Sequence, residues 1–286
     1  EPDRAIETSE RLLDLYPEEL AFRRSLAPLH MEGEDPAAAE RVLREAVADL
    51  PESRDAKLLL AQYLASNDLD AAVRELRRLV ASDDDFDSTL AFRLAELHEQ
   101  QGDLEEAESV YRTIRQSSVE TDDALRARNE LARLAITQED QDEARAIVDE
   151  ILGLDPENPD ALVVRAYLQL QDDAVEEAIA NLRRAVRADP ESIRAVYLLG
   201  RAHQIQGAAG LARDTFARAV ELDPLQADSV RQLLPYYLAD QRYEQAEEML
   251  DRIVEADRAD ADLLVALIRV KLLLEEYEAA DRKSVV

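Results

Sequence analysis

Nine alanines recur at near-constant intervals: Ala5, Ala39, Ala72, Ala107, Ala144, Ala178, Ala212, Ala246 and Ala280. The steps between them are 34, 33, 35 and 37 residues, followed by four steps of 34. A fixed period of this size marks a repeat architecture, in which each unit packs mainly on its neighbours. It predicts a stack of small helical units whose surface is offered to other molecules.

One unit, Ile193 to Gln226, shows how the period is built. Ile193, Val196, Leu198 and Leu199 are spaced for one buried face of a first helix, and Gly207 then interrupts it. Ala212, Phe216, Ala219 and Val220 form the buried face of a second helix over 211–222. Asp223-Pro224 ends that helix, because proline disfavours the helical conformation in the residue before it. Asp at such a place also caps the helix that follows. Each unit therefore reads as two antiparallel helices. Alanine recurs near the start of the second helix, where the two helices cross and a larger side chain would overpack.

Gly200, Ala212, Phe216, Ala219 and Pro224, with His203 at an aromatic place, resemble the tetratricopeptide repeat. The preceding unit matches at Ala166, Ala178, Leu182, Ala185 and Pro190. The following unit matches at Tyr237, Ala246 and Leu250, with Arg258 at the proline place. Pro17, Pro51 and Pro156 hold that place elsewhere, and Asp84 stands in for it once. The resemblance covers essentially the whole chain. It implies an all-α α-solenoid, a right-handed superhelix of antiparallel hairpins of about 34 residues. The expected units are 20–52, 53–87, 88–124, 125–158, 159–192, 193–226 and 227–260, with partial units at 1–19 and 261–286, all in one solenoid over 1–286. The third unit is longer, and its extra residues at Gln116 to Asp123 read as a loop. Asp172-Asp173-Ala174 stands where another unit has Gln101-Gly102-Asp103, which leaves that turn's register open. The opening half unit and the stop soon after Ala280 read as a piece of a longer, bacterial protein.

Composition narrows the partners. Asp and Glu number 64 against 34 Lys and Arg, a net charge of −30. Such a field repels phosphate backbones and anionic membrane surfaces, so neither nucleic acid nor membrane is an expected partner. It serves solubility, adaptation to a salty medium, or recognition of a basic partner. No cysteine is present, which removes disulfides, thiol catalysis and cysteine-based zinc sites. No run approaches 18 apolar residues, and direct membrane insertion is not expected. The chain opens on Glu1 without a visible signal peptide, and the expected compartment is the periplasm or cell envelope ahead of the cytoplasm.

Few residues point to chemistry. His30, His98 and His203 share the eleventh place of a first helix, where Tyr63 and Tyr237 sit in other units. They read as packing residues, with a pH switch as the alternative. Asp83-Asp84-Asp85-Phe86-Asp87 begins like a calcium loop but has Ser88 and Leu94 where glycine and glutamate are needed, so it reads as a solvated loop capping the next helix. Gly207-Ala208-Ala209-Gly210 lacks the lysine of a phosphate loop. Nothing here calls for a cofactor or metal, and the chain is not expected to be an enzyme.

One stripe stands out. In the resembling family, first helices line a concave wall, and places two, five and nine share one outward row. Across eight first helices these 24 positions hold nine basic residues: Arg24, Arg54, Lys57, Arg126, Arg133, Arg194, Arg201, Arg231 and Arg269. Only Glu96, Asp160, Asp228 and Asp262 are acidic, so the row carries about +5 in an acidic chain. Phe92, Tyr167 and Tyr197 join it, and arginine with aromatics is a binding composition. Two readings remain open: a groove for a partner segment, or arginines that pair with carboxylates of adjacent helices. Asn129 and Lys57 do not assemble the family's carboxylate clamp. The resemblance thus implies a non-catalytic scaffold binding a protein or peptide. The alternative is an assembly or targeting array of a larger envelope, polysaccharide-export or glycosyltransferase protein. End-to-end self-association of the chain is a further possibility.

Overall fold

Alanine and a bulky side chain four residues later lie one above the other on a helix. That pair recurs through the second helices as Ala39–Leu43, Ala72–Leu76, Ala107–Tyr111, Ala144–Val148, Ala178–Leu182, Ala212–Phe216 and Ala246–Leu250, all buried. The structure, a computed structural model, describes residues 2–82, 86–117 and 121–284. Among them it contains sixteen helices and no strand. Ala280 and the loop residues 83–85 and 118–120 lie outside the residues whose side chains or fold are described.

The chain divides into two compact units, Glu1–Leu134 and Ala135–Val286. In the first, α1 (Pro2–Leu15) leads into the hairpins α2 (Leu20–Glu32) with α3 (Pro36–Asp49), α4 (Arg54–Asn67) with α5 (Leu69–Ser82) and α6 (Ser88–Gln101) with α7 (Leu104–Ser117). Next comes α8 (Asp122–Thr137), within which the division falls. In the second lie α9 (Gln141–Leu154), then α10 (Pro159–Gln171) with α11 (Val175–Ala188), α12 (Ile193–Ile205) with α13 (Ala209–Leu222) and α14 (Ala227–Ala239) with α15 (Tyr243–Glu255). The last element is α16 (Ala261–Ser284). Consecutive helices pack on one another from α1 to α7 and from α9 to α16, and α4 also touches α6, as α10 touches α12. This is an all-α solenoid of stacked hairpins.

Short polar side chains start the helices. Asp35, Ser53, Asp87, Asp140, Asn158 and Ser192 each accept a hydrogen bond from a backbone N–H of the first turn, as caps do. Most turns inside hairpins share one device, the α4–α5 turn at Asp68 (φ −150°) being made without it. A residue with positive φ follows the first helix: Glu34, Gly102, Glu139, Asp173, Gly207 and Gln241. The next N–H then reaches back five residues, as from Asp103 to the His98 carbonyl at 2.9 Å and from Ala174 to the Gln169 carbonyl at 2.8 Å. Asp173, with φ 59°, therefore occupies the glycine place of the turn whose register the sequence left open.

Two elements differ from the expected units. The helix expected to begin at 125 starts at Asp122, with Asp122 and Asp123 in its first turn, where acidic residues suit the helix dipole. In 261–286 the chain does not turn near 274 but continues as one helix to Ser284. Leu272-Leu273-Leu274-Glu275 stands where α14 ends in Leu238-Ala239-Asp240-Gln241, and these leucines favour helix over turn.

Two helices approach one another closely at Gly200. A β-carbon there would lie 2.7 Å from two atoms of the Phe216 ring. This is the small place of the repeat: α12 can meet α13 only because that position lacks a side chain.

Candidate functional site

The basic row can now be placed residue by residue. Place two stays outside: Arg54, Arg126 and Arg194 are exposed on α4, α8 and α12. Place nine is half-buried at Arg133, Tyr167 and Arg201. Place five departs from the expectation. Lys57 is 6% exposed and Phe92 2% exposed, so neither presents a surface to a partner. Lys57 lies beside α3 and α5, near Arg44, Glu75 and Leu79, and the Phe92 ring is closed over by its neighbours. Arg126 of the following first helix sits over the Phe92 ring at 4.0 Å, and Tyr111 lies 6.0 Å away on the other side. Arg24, Tyr197 and Arg231 at the same place keep part of their surface.

Most of the arginines are engaged within the protein. In the first unit Arg54 bonds Asp87 at 2.7 Å, and Arg126 lies 3.5 Å from Glu96. Arg133 bonds Glu130 at 2.8 Å and also Glu99. In the second, Arg231 bonds Asp228 at 2.6 Å and also Asp260. These pairs tie first helices to their neighbours or to themselves. Lys57 and Arg194 are engaged as well. Among the described residues, Arg24, Arg201 and Arg269 contact no carboxylate. Arg201 instead lies 3.4 Å from the Tyr197 hydroxyl, and Tyr197 stacks toward Phe216 at 6.0 Å. The row therefore resolves into separate parts: a Tyr197–Arg201 patch on α12, with Tyr167 on the adjoining α10, and isolated cations at Arg24 and at Arg269 on α16.

A cleft that the row did not single out opens between α2 and α4. Its volume is about 760 Å³, and its walls include Leu43, Leu58, Leu59 and Met31, with Arg24 and Pro28 on the α2 side. The sequence carried no specific signal for it, since Arg24, Pro28 and Leu43 recur at the same places as Arg231, Pro235 and Leu250 in 227–260.

Two of the histidines at place eleven, His98 and His203, are packed inside, while His30 is half-buried. His98 is 2% exposed, and Arg77 lies 3.3 Å from its Nε2. Arginine can only donate, so Nε2 accepts and the proton sits on Nδ1, which has no hydrogen-bond partner. Burial, then Arg77, pushes the His98 pKa below its ordinary value. Burial, then Arg183, does the same at His203. The folded protein thus favours neutral rings, while the unfolded chain takes up protons as pH falls below about 6.5. Both contributions to stability are full above that pH and are lost as it drops. Thermal melts should show lower stability at pH 5.5 than at pH 7.5 (roughly the range in which histidine titrates). Replacing both rings by tyrosine, which other repeats carry there, should flatten the difference over that range. An unchanged slope in that variant would assign the effect to other groups. Among the described residues no group of three or more His, Asp or Glu side chains could hold a metal ion. No helix among them is long and apolar enough to cross a membrane.

Stacked helical hairpins with tyrosine and arginine on their first helices define a class, the α-solenoid interaction scaffold. Tetratricopeptide repeat profiles match residues 30–91, 62–123, 112–159, 129–193 and 163–227, so the chain belongs to the tetratricopeptide repeat family. The chain is 28% identical over 153 residues to the DnaJ homolog subfamily C member 3 of Gallus gallus, a match covering 49% of this chain and 30% of that protein. It is 28% identical over 85 residues to the DnaJ homolog subfamily C member 7 homolog of Schizosaccharomyces pombe, covering 30% of this chain and 18% of that one. The matched stretches thus span less than a third of either relative. Among solved structures, yeast Tom70 is similar with a TM-score of 0.64 and 15% identity, over 98% of this chain and 59% of that chain. A tetratricopeptide repeat protein from Parabacteroides merdae gives 0.60 and 16%, over 93% of this chain and 99% of that chain. At such identities the likeness concerns the fold.

Proposed function

We propose that this chain is a non-catalytic scaffold that holds a segment of a partner protein against the first helices of its repeats. The observation that carries this reading is the patch on α12. Arg201 is a partly exposed cation with no carboxylate partner among the described residues, although 64 Asp and Glu are available in the chain. The Tyr197 hydroxyl lies 3.4 Å from it, and Tyr167 is on α10, which touches α12. Tyrosine and arginine dominate binding energy at protein interfaces because they combine large contact area with directed hydrogen bonds. Arg231, closed by two aspartates, contributes less than Arg201 in this reading.

The test is a photo-crosslinker placed at Tyr197 in cells, with Glu248 on exposed α15 surface as control. A protein captured at Tyr197 and not at Glu248, and lost with Arg201→Ala while helicity is retained, supports the groove. Equal capture at both positions, or capture that survives Arg201→Ala, overturns this site.

A further inference from the structure

We propose that mild acid opens two joints between hairpins, α5 against α6 in the first unit and α11 against α12 in the second, because a second proton on His98 or His203 sets a cation against an arginine inside the joint. Acid-dependent loss of stability is thereby concentrated at two places instead of being spread along the chain.

The placement recurs. Arg77 stands five residues beyond Ala72 on α5, and Arg183 five beyond Ala178 on α11. His98 and His203 hold the eleventh place of the first helix that follows each, α6 and α12, which pack on α5 and α11. One arginine–histidine couple thus spans one joint in each unit. Elsewhere the eleventh place is Tyr63, Ala135, Gln169, Tyr237 or Lys271, none of which titrates near neutral pH. The remaining histidine, His30, follows a helix with Glu10 at the arginine's place.

The surroundings make a second proton costly. Arg77 from α5, Glu106 from α7 and Asp103 from the α6–α7 turn are the charged groups that bear on His98. Arg77 donates toward Nε2 at 3.3 Å, and Glu106 holds that guanidinium in place at 3.4 Å. A ring protonated on Nε2 no longer accepts, so donor faces donor and cation faces cation. Its Nδ1 is buried without a partner, and Asp103, 3.9 Å away, is beyond hydrogen-bond reach. His203 is 4% exposed, and its Nδ1 is likewise unpartnered. The groups that bear on it are Arg183 of α11 and the amide of Gln206, with no carboxylate among them. A buried charge without water or counter-ion is expensive, and parting the joint supplies water. The opened ring titrates as ordinary histidine, so opening grows as pH falls below about 6.5. In the second unit the parting runs between Tyr167 on α10 and the Tyr197–Arg201 pair on α12. The joint therefore gates the site proposed above, a consequence that rests on the scaffold reading while the joint itself does not.

The chain has no cysteine, so a single introduced thiol reports opening at its own place. Leu97→Cys and Ala202→Cys put one beside each histidine, at fully buried positions. Leu168→Cys, at the matching buried place of α10 ahead of Gln169, is the control. Rates of reaction with 4,4′-dithiodipyridine, divided by the rate of an exposed Glu248→Cys thiol, give the opening constant at each pH. Between pH 7.5 and 5.0 opening should rise about tenfold or more beside each histidine, toward a limit of about thirtyfold set by the pKa of free histidine, and stay within about twofold at the control. His98→Tyr should remove the rise at Leu97→Cys only, and His203→Tyr the rise at Ala202→Cys only. Tyrosine holds this place in other units, so both variants keep the fold. Arg77→Gln should shrink the rise beside His98, because an amide accepts from a protonated ring as readily as it donates to a neutral one. Equal rises at all three thiols, or rises that survive the tyrosine variants, overturn the inference. These rates are read without a partner, so their failure leaves the scaffold reading to capture at Tyr197, and failed capture leaves the joints standing.

Discussion

Replacing Phe216 by Ala is expected to destabilise the second unit by about 3–5 kcal/mol. The ring is fully buried and lies 6.0 Å from Tyr197 and 6.3 Å from Tyr236. Its other face rests on Gly200, which has no side chain to collapse into the space left. The same geometry makes Gly200→Ala costly by itself, by about 1–3 kcal/mol from overpacking. The two effects cannot add, because the new methyl of Gly200→Ala enters the hole left by Phe216→Ala. The double variant should therefore be no less stable than Phe216→Ala alone. Native-state hydrogen exchange of the α12 and α13 amides measures this locally, which avoids assuming that the two units unfold together. Simple additivity of the two losses would refute the close contact.

Glu99→Ala should destabilise the first unit by about 2–3 kcal/mol, because it strands hydrogen-bonding groups on two other helices. The Tyr111 hydroxyl, fully buried, donates to Glu99 at 2.8 Å. Burial, followed by that hydrogen bond to a carboxylate, raises the Tyr111 pKa far above its ordinary value, so the hydroxyl remains a donor in need of an acceptor. Arg133 of α8 reaches Glu99 as well as Glu130. Burial opposes its charge, and the two carboxylates more than offset that opposition. The carboxylate of Glu99 thus joins α6, α7 and α8. Glu99→Gln keeps an acceptor for Tyr111 and should lose clearly less. Thermal melts of the two variants decide the matter: equal losses would mean that the hydrogen bond to Tyr111 contributes nothing.

The hairpins could be read from the sequence because their contacts are local. Ala212 and Phe216 face the same way through one turn of helix, and nothing outside that turn can change it. The same holds for the caps at Asp87 and Ser192. Place five could not be read in this way. Whether Lys57 or Phe92 is covered depends on how neighbouring helices pack, which many contacts set together. The turns at Glu139, Asp173 and Gln241 hid for another reason: they adopt the left-handed conformation without glycine, tolerated because the returning N–H bonds hold them. The long α16 reflects competition between repeat register and leucine's preference for helix, which the period alone does not weigh. Of the candidate site, the arginines were legible as a row. Their partners on other helices were not, since a carboxylate 29 to 34 residues away becomes a neighbour only after stacking.

Those partners give each unit a mechanical character. Arg44–Glu75 at 3.0 Å and Arg77–Glu106 at 3.4 Å join consecutive second helices of the first unit. Arg145–Asp172 at 2.8 Å and Arg213–Asp240 at 3.0 Å join a second helix to the end of the next first helix in the second unit. The hairpins themselves are closed by alanine and leucine surfaces, which dissolved ions do not weaken by screening. The struts between hairpins are partly exposed charges, and salt screens them over about 8 Å at physiological strength. Leu43, Leu60, Leu76 and Leu90 of successive hairpins nevertheless share one apolar core, so the surrounding electrolyte trims only the charged rim of a stack that carbon holds together.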